Sequence, residues 1–561
     1  MTNQINFFYN EFNYYIDFNN KQLIIKKYQN LYLLIRRKHF KTREERIFLK
    51  KYRNIDKYIN GSNNDFIDEN VNNILFDNIN GYKLDYNQRK AILIDEINTL
   101  VIAGAGCGKS LTIIGKIYYL IEVMKIDPQE ILCISFTNDS CNSLKKKLKY
   151  NVEVLTFHKL ALKIIKKNKY IISNISLDYF VNEYFASLIL NRIHIIKIVL
   201  KICGDKKMDI NNYKKYLASD NLNSLKKTII SFINMFKACN YSYDYFLKLK
   251  RRKNCDLLYL IIDIYYLYQK ELISQREIDF NDMISIAIKE VSKGHIRLKY
   301  KYFIIDEFQD TSLTRYLLIK EIIKNNGAKL FVVGDDWQSI YSFTGCNVDI
   351  FLNFEKYFGY TKRIYITNTY RNSQELINLA GHFIMHNKKQ LKKFLKSSKS
   401  ITKPVKIIYE KNNILEKLIV YLYRNNVQDI MILGRNNNDI YKYLNNLLIL
   451  KDSYITYKNI DDLSIRYLTV HKSKGLEAEC VIVLNLADSI MGFPNKRINH
   501  ELINKLKKFK ERKFDEERRL FYVALTRTKN DVYLVIPRQK YSIFVKEIIK
   551  KWYKYIEFLS F

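Results

Sequence analysis

The sequence predicts an α/β protein with two parallel-sheet bodies, the first interrupted by a helical insertion; three observations carry this. From Leu84 to Thr156 short apolar runs alternate with helical stretches, as in "TLVIAG", "ILCISFTN" and "VEVLTFH". Strand signals return at "YFIIDEFQD" and "KLFVVGDD", then at "KRIYITNTYR", "DIMILGR", "IRYLTVH", "AECVIVLNL" and "DVYLVIP". Between the two groups the chain turns helical and basic, with "KKNKY" and "KLKRRKN".

Taken in order, residues 1–80 are aromatic, basic and helical in pattern, and end in the Asn/Gly-punctuated "INGSNNDFIDENVNN". Residues 81–165 and 275–362 are expected to form the first α/β domain, 166–274 its helical insertion, and 363–561 the second domain. No repeat of fixed period is present. The most apolar stretch, Leu257 to Tyr268, is too short to span a bilayer and carries Asp263, so it reads as a buried helix and no membrane partner is expected.

Composition narrows the classes of function. Hydrophobic residues make up 48% of the 561, ample for several cores. Lys plus Arg number 94 against 57 Asp plus Glu, a net charge of +37, which favours a polyanionic partner, above all nucleic acid. Abundant Lys, Asn, Ile and Tyr also fit an AT-rich genome, which accounts for part of that charge. The eight cysteines form no C-x-x-C and no zinc-spaced cluster, and "MTNQINFFYNEFNYY" lacks the features of a signal peptide. Separate reduced thiols and an intracellular setting are expected.

The first chemical signal is "LVIAGAGCGKSLTIIGKIYYL", with three of the sixteen glycines inside five residues. A strand leading into closely spaced glycines lets successive backbone N–H groups turn inward on an anion. The following helix adds its N-terminal partial charge. The register fits the template G-x-x-x-x-G-K-[ST] with Ala103 in first place, so Ala103, Gly104, Ala105, Gly106, Cys107 and Gly108 would cradle phosphates. Lys109 would reach the β/γ-phosphates, and the Ser110 hydroxyl would ligate Mg²⁺. A chance glycine-rich turn is the plain alternative. ATP and Mg²⁺ are the cofactors this pattern implies.

A phosphate loop needs a metal ligand and a way to activate water. In "KYFIIDEFQDTS" an apolar strand ends in Asp306-Glu307; Asp306 would hold the Mg²⁺ shell, while Glu307 would orient and deprotonate water. Two solvated acids capping a helix would look the same in isolation. In "FVVGDDWQSIYSFTG", Gln338 can contact both a γ-phosphate and the attacking water, while Tyr341 and Phe343 can offer flat faces to unstacked bases.

With these motifs in order the chain resembles the UvrD/Rep-like superfamily 1 DNA helicases, and within them the DNA helicase IV type, from about Asn72 to Pro537. "LDYNQRKAI" resembles the adenine-reading Q motif, which implies Gln88 as base reader. "SFTNDSCNSL" and "VLTFHKLA" resemble segments that line the DNA path, which implies Phe136, Thr137, Asn138, Thr156 and His158 on the strand. Gln338 would be the γ-phosphate sensor. "TYRNS" resembles the fourth motif, with Tyr370 stacking on adenine and Arg371 as arginine finger. "LTVHKSKGLEAECVIVLNL" resembles the fifth, with Glu477 at the nucleotide and His471 near DNA; "EERRLFYVALTRTKNDVYLV" resembles the sixth, with Arg527 as a second arginine at the γ-phosphate.

The resemblance implies two RecA-like domains with a helical 1B insertion, an ATP-driven motor on single-stranded DNA, and travel 3′ to 5′. Single strands, strand–duplex junctions, replication or repair proteins and a monomeric state are the expected associations. Departures also matter. The fourth motif has Thr369 where most of the family has Asn, Phe343 stands where many relatives have Trp, and Thr344 replaces a common Arg. From Arg371 to Leu468 the chain is too short for the large 2B subdomain, which is expected to be reduced or absent; the stretch after the sixth motif has no room for a RecB/AddA-like nuclease domain. Two other classes compete. A remodeller displacing RNA polymerase would need coiled-coil arms, for which no heptad run exists. A non-catalytic scaffold would tolerate loss of Lys109, Glu307 or an arginine finger, yet all are present.

Overall fold

The computed structural model describes residues 1–561 apart from 166–170, 174, 205–212, 253–254, 295, 459, 461–462, 498–499, 508 and 510. The basic run "KKNKY" and the last two residues of "KLKRRKN" therefore lie outside the described residues.

The first sheet contains β1 (Asn98–Ala103), β2 (Ile131–Ile134) and β3 (Glu153–Leu155); β4 (Ile171–Ile172) and β5 (Glu277–Ile278) form a separate pair; β6 (Tyr302–Ile305), β7 (Lys329–Gly334) and β8 (Lys362–Ile366) complete it. Its order is β3-β2-β6-β7-β1-β8, parallel throughout. Both faces are covered, which is why these strands read as unbroken apolar runs. Successive side chains alternate between two cores. Val101 and Ala103 pack with the helix Lys109–Glu122, whereas Leu100 and Ile102 pack with the helices Phe157–Ile165, Phe280–Ser292 and Leu313–Asn326. Each such buried branched side chain contributes roughly 1.5–3 kcal/mol.

One boundary shifts. β8 pairs with β1 from Thr99↔Lys362 to Ala103↔Ile366, so the first sheet runs beyond residue 362 before the chain crosses over. The free edge of β1 accepts this strand because its N–H and C=O groups would otherwise be unpaired in a buried sheet.

The second sheet comprises β9 (Val405–Tyr409), β10 (Asp429–Gly434), β11 (Leu448–Lys451), β12 (Tyr454–Tyr457), β13 (Ser464–Thr469), β14 (Cys480–Val483), β15 (Val532–Ile536) and β16 (Ile556–Leu559). Its order is β11-β12-β13-β10-β14-β15-β9-β16, with an antiparallel edge at β11 and β12 and parallel pairing elsewhere. β9, β16 and the β11–β12 hairpin are additions to the strands expected from sequence. Ala105, Trp337 and Ile340, from the first body, lie in the core of the second, so the two sheets meet through a shared apolar contact.

The insertion packs a helical core of its own, including the expected helix, observed over Asp256–Ser274. The β4–β5 pair closes its base. Leu502, Ile503 and Leu506, from the short helix Glu501–Leu506 of the second body, are buried in that same core, and Tyr241 donates to the Leu506 carbonyl at 3.1 Å. Residues 5–59 pack a helical unit around Phe8, Tyr28, Ile35 and Phe48, whereas Ile67, Val71, Phe76 and Ile79, inside the expected N-terminal region of 1–80, are buried in the core of the first sheet. The helical unit is tied to the first sheet by Lys329, which lies 2.7 Å from both Asp17 and Asp95, and by Phe18 stacked on Tyr360. None of the eight cysteines is in a disulfide, and no described helix is long and apolar enough to cross a membrane.

Candidate nucleotide and DNA site

The loop from Gly104 to Gly108 leaves the buried end of β1 and enters the helix at Lys109. Gly106 and Gly108 sit at φ +71° and +72°, left-handed conformations that L side chains rarely adopt. Close approach matters as much. A Cβ at Gly106 would fall 2.5 Å from Arg371 Cβ, and one at Gly108 would fall 2.5 Å from Gln88 Nε2. The loop is thus lined from the second body by Arg371 and from below by Gln88.

Gln88 is buried and closes a capping box with Asp85, while its Nε2 donates to the Cys107 carbonyl at 3.3 Å. Tyr370, largely exposed, donates to Asp85 at 2.8 Å, and its backbone N–H donates to the Gly106 carbonyl at 3.0 Å. Gln88 and Tyr370 therefore flank the same rim. Ser110 is exposed at the start of the helix.

Asp306 and Glu307 follow β6 directly, facing the loop. Lys109 Nζ lies 3.1 Å from Glu307 Oε1. Glu307 holds φ +49°, uncommon for a non-glycine residue and typical of a side chain re-aimed into a site. The two neighbouring carboxyls are driven apart. Burial, then the charge of Glu307, pushes Asp306 up to about 7. Burial also works to raise Glu307, but the Lys109 and Lys474 ammonium groups overcome it and hold the carboxyl down to about 2. Asp306 supplies the hard oxygen donors and the excess negative charge that a divalent cation would relieve, and the Ser110 hydroxyl is available on the helix start. Among the described residues no group of three or more His, Cys, Asp or Glu gathers as a metal cage. A carboxylate and a hydroxyl fit Mg²⁺, which takes few protein ligands and completes its shell with phosphate and water.

Across the cleft, Arg527 is buried and donates from Nη2 to Gln338 Oε1 at 3.0 Å. Gln338 donates in turn to Asp335. Burial, then the nearby charge of Arg371, presses Arg527 down to about 9, so it stays a cation at neutral pH, with no carboxylate in ion-pair contact among the described residues. Arg371 donates to Glu477 at 2.7 Å and to the Thr526 carbonyl at 3.3 Å. Two cations thus converge on the loop from the second sheet.

The residues proposed for DNA are spread along one boundary. Phe343 is 49% exposed and meets His471 edge-on at 5.4 Å, and Tyr341 donates to the His471 carbonyl at 2.9 Å. Thr137 and Asn138 are exposed at a helix start. Phe136 packs on Phe157 beneath Arg315. His158 is edge-on to Phe280 at 5.4 Å. Burial, then Arg315, pushes His158 down to about 4; burial, then Arg435 and Lys474, pushes His471 to about 3. Both rings are neutral at pH 7 and would meet a strand as hydrogen-bonding or stacking groups. Thr156 is buried, and its hydroxyl accepts from the Lys159 N–H at 3.3 Å, capping the helix beginning at Phe157. Accepting that bond leaves the hydroxyl its own O–H donor.

A family model described as the UvrD/REP helicase N-terminal domain matches residues 84–359, and one described as the UvrD-like helicase C-terminal domain matches residues 444–539. The chain belongs to the UvrD/REP helicases. It is similar to DNA helicase IV of Escherichia coli, with 27% identity over 499 residues, covering 82% of this chain and 69% of the relative. It is also similar to ATP-dependent DNA helicase Rep of Buchnera aphidicola from Acyrthosiphon pisum, with 28% identity, covering 80% of this chain and 68% of the relative. A probable DNA helicase of Mycoplasma pneumoniae shares 27% identity, covering 81% of this chain and 83% of the relative. Membership in the UvrD/REP helicases makes the chain an ATP-dependent DNA helicase.

Sequence reasoning missed Lys474. It crosses from the second body to pair with Asp310, donates to the Gln338 carbonyl at 2.7 Å, and lies 3.9 Å from Glu307. Its position inside "HKSKGLE" was the available signal.

Proposed function

We propose that the chain hydrolyses ATP between its two sheets and uses the resulting motion to travel on single-stranded DNA, 3′ to 5′, and to part duplex at a junction. The first sheet and its flanking helices are read as RecA-like domain 1A, residues 166–274 as 1B, and the second sheet as domain 2A. The short chain between Arg371 and Leu468, filled by strands and helices of the second sheet, supports a reduced or absent 2B subdomain. The observation that carries the reading is the Arg527–Gln338 contact, at 3.0 Å, which brings a cation of one body to the polar turn of the other beside Lys109 and Glu307.

In that cleft the loop N–H groups and Lys109 hold the phosphates, with Gln88 and Tyr370 at the base and Glu477 beside Arg371. Ser110 and Asp306 would hold Mg²⁺, which supplies charge neutralisation on the phosphates when bound. Lys109 turning from Glu307 toward a phosphate removes one of the two ammonium groups that keep Glu307 so acidic. The Glu307 carboxylate then accepts the proton of the attacking water, with Gln338 orienting that water. Arg371 and Arg527 stabilise the charge that develops on the transferring group. Drawing both arginines inward closes the bodies; release lets them part. Alternating grip by Phe343, Tyr341, His471, Thr137, Asn138, Phe136 and His158 turns the cycle into steps. An intracellular monomer working with replication or repair proteins completes the reading.

Unwinding of a 3′-tailed duplex by the purified chain, with and without ATP, tests it; unwinding only of a 5′-tailed duplex would reverse the polarity, and none on either would leave a remodeller. Phe343→Ala is expected to reduce unwinding more than ATP turnover, because losing one base stack costs roughly 1–3 kcal/mol. Equal proportional losses would make the ring a packing residue. Salt gives an independent check. If the basic surface forms a path neutralising four or five phosphates, log affinity for single strands should fall against log salt with a slope of about −3 to −3.5. Equal affinity for blunt duplex, unmoved by a non-hydrolysable ATP analogue, would mean the charge is spread without a path.

A further inference from the structure

Beneath the phosphate loop lies a buried charge cluster that the reaction as described does not use. Lys393 comes from the segment after the helix Gln374–Ile384, which returns under the first sheet. Its side chain is 2% exposed and pairs with Asp335 and, at 2.7 Å, with Asp336, both fully buried. The ammonium also donates to the Ala103 carbonyl at 3.3 Å, the first residue of the phosphate loop. Two adjacent buried carboxylates and one lysine form an arrangement that costs desolvation, and replacing it with apolar groups is often neutral or stabilising. Stability alone gives little reason for it.

Asp335 is a node. Its carboxylate accepts from Gln338, the side chain that meets Arg527, and its backbone N–H donates to Gln309 Oε1 at 2.9 Å. Gln309 Nε2 in turn donates to Glu307 Oε2 at 2.5 Å. The Asp335 carboxylate therefore holds Gln338, while its backbone N–H, fixed at the end of β7, holds Gln309. Asp336, by contrast, meets Lys393, Gln390 and the Leu391 N–H through its carboxylate, and among the described residues it does not touch Gln338 or the loop.

We propose that Lys393 is a positioning residue: by fixing the Asp335 carboxylate against the Ala103 carbonyl, it sets Gln338 relative to the phosphate loop. The inference rests on the reading of Gln338 as γ-phosphate sensor.

The test uses the full chain with Asp336→Asn as background, so that Lys393→Met leaves the pocket with its original net charge. Melting temperature is read first; Lys393→Gln in the same background replaces the methionine form if that form fails to fold. Asp336→Asn alone should leave kcat for DNA-stimulated ATP hydrolysis within about twofold, since it touches neither Gln338 nor the loop. Adding Lys393→Met should lower kcat about 10–100-fold with KM for ATP changed by less than about threefold, because positioning is lost and phosphate binding is not. In a Gln338→Ala background most of that loss should vanish, since the two act in series. An unchanged kcat on loss of Lys393, or a loss of the same size with and without Gln338, overturns the inference alone. Normal kcat in Gln338→Ala overturns the sensor reading, and this inference with it.

Discussion

Glu307→Gln is expected to reduce DNA-stimulated ATP hydrolysis by about 10²–10⁴-fold, the usual contribution of a positioned general base. The amide keeps the size of the side chain and its hydrogen bond with Gln309, but it cannot take a proton. Nucleotide affinity should hold or rise slightly, because Lys109 no longer has a carboxylate 3.1 Å away competing for it. Lys109→Ala should abolish hydrolysis by the opposite route, weakening nucleotide binding itself. Fluorescent-nucleotide binding alongside steady-state turnover separates the two. Retained hydrolysis in Glu307→Gln would remove Glu307 from the base role.

Arg527→Ala should lower kcat by about 10³–10⁵-fold, the range that arginine fingers supply in comparable NTPases. Arg527 is buried, has no ion-paired carboxylate among the described residues and lies against Gln338, so its charge is available for an anion that arrives in the cleft. Arg371→Ala should have a smaller effect, since Arg371 already donates to Glu477 and the Thr526 carbonyl, and part of its charge is committed there. Melting temperature and ATP affinity are measured with each variant. If kcat fell only in proportion to lost folded protein, Arg527 would be a structural cation between the two bodies.

Much of the site was legible because each motif is local. A strand, a glycine turn and a helix start within eleven residues are enough to place Lys109 and Ser110, and four apolar residues before Asp306-Glu307 are enough to put both carboxyls at a strand end. Alternation along β1, with Val101 and Ala103 to one core and Leu100 and Ile102 to the other, likewise follows from residues that are near neighbours in the chain. For Thr156 the fold adds a bond that the motif leaves open. The sequence places it beside His158 in "VLTFHKLA", but only the fold shows its hydroxyl turned back as a helix cap.

By itself, then, the sequence determined the two α/β bodies, the helical insertion, the glycine-rich loop after β1 and the residue types that surround it. Tertiary structure decided what those residues face. β9 and β16 are short, and they count as strands only because β15 and β9 offer them open parallel edges. β8 joins the first sheet through pairing with a strand more than two hundred and fifty residues earlier, a register no local pattern encodes. The helix Glu501–Leu506 lies in the lysine-rich "ELINKLKKFK", where no local signal names a partner, yet its three apolar residues complete the core of an insertion far away in sequence. Lys393 is the same case in charge: in "NKKQLKKFLK" it is one lysine among several, and only the chain's return beneath the loop buries it between Asp335 and Asp336. Local propensity fixes elements from neighbours a few residues apart, whereas partners are chosen by burial and by the need to pair every buried polar group, and those are properties of the assembled fold.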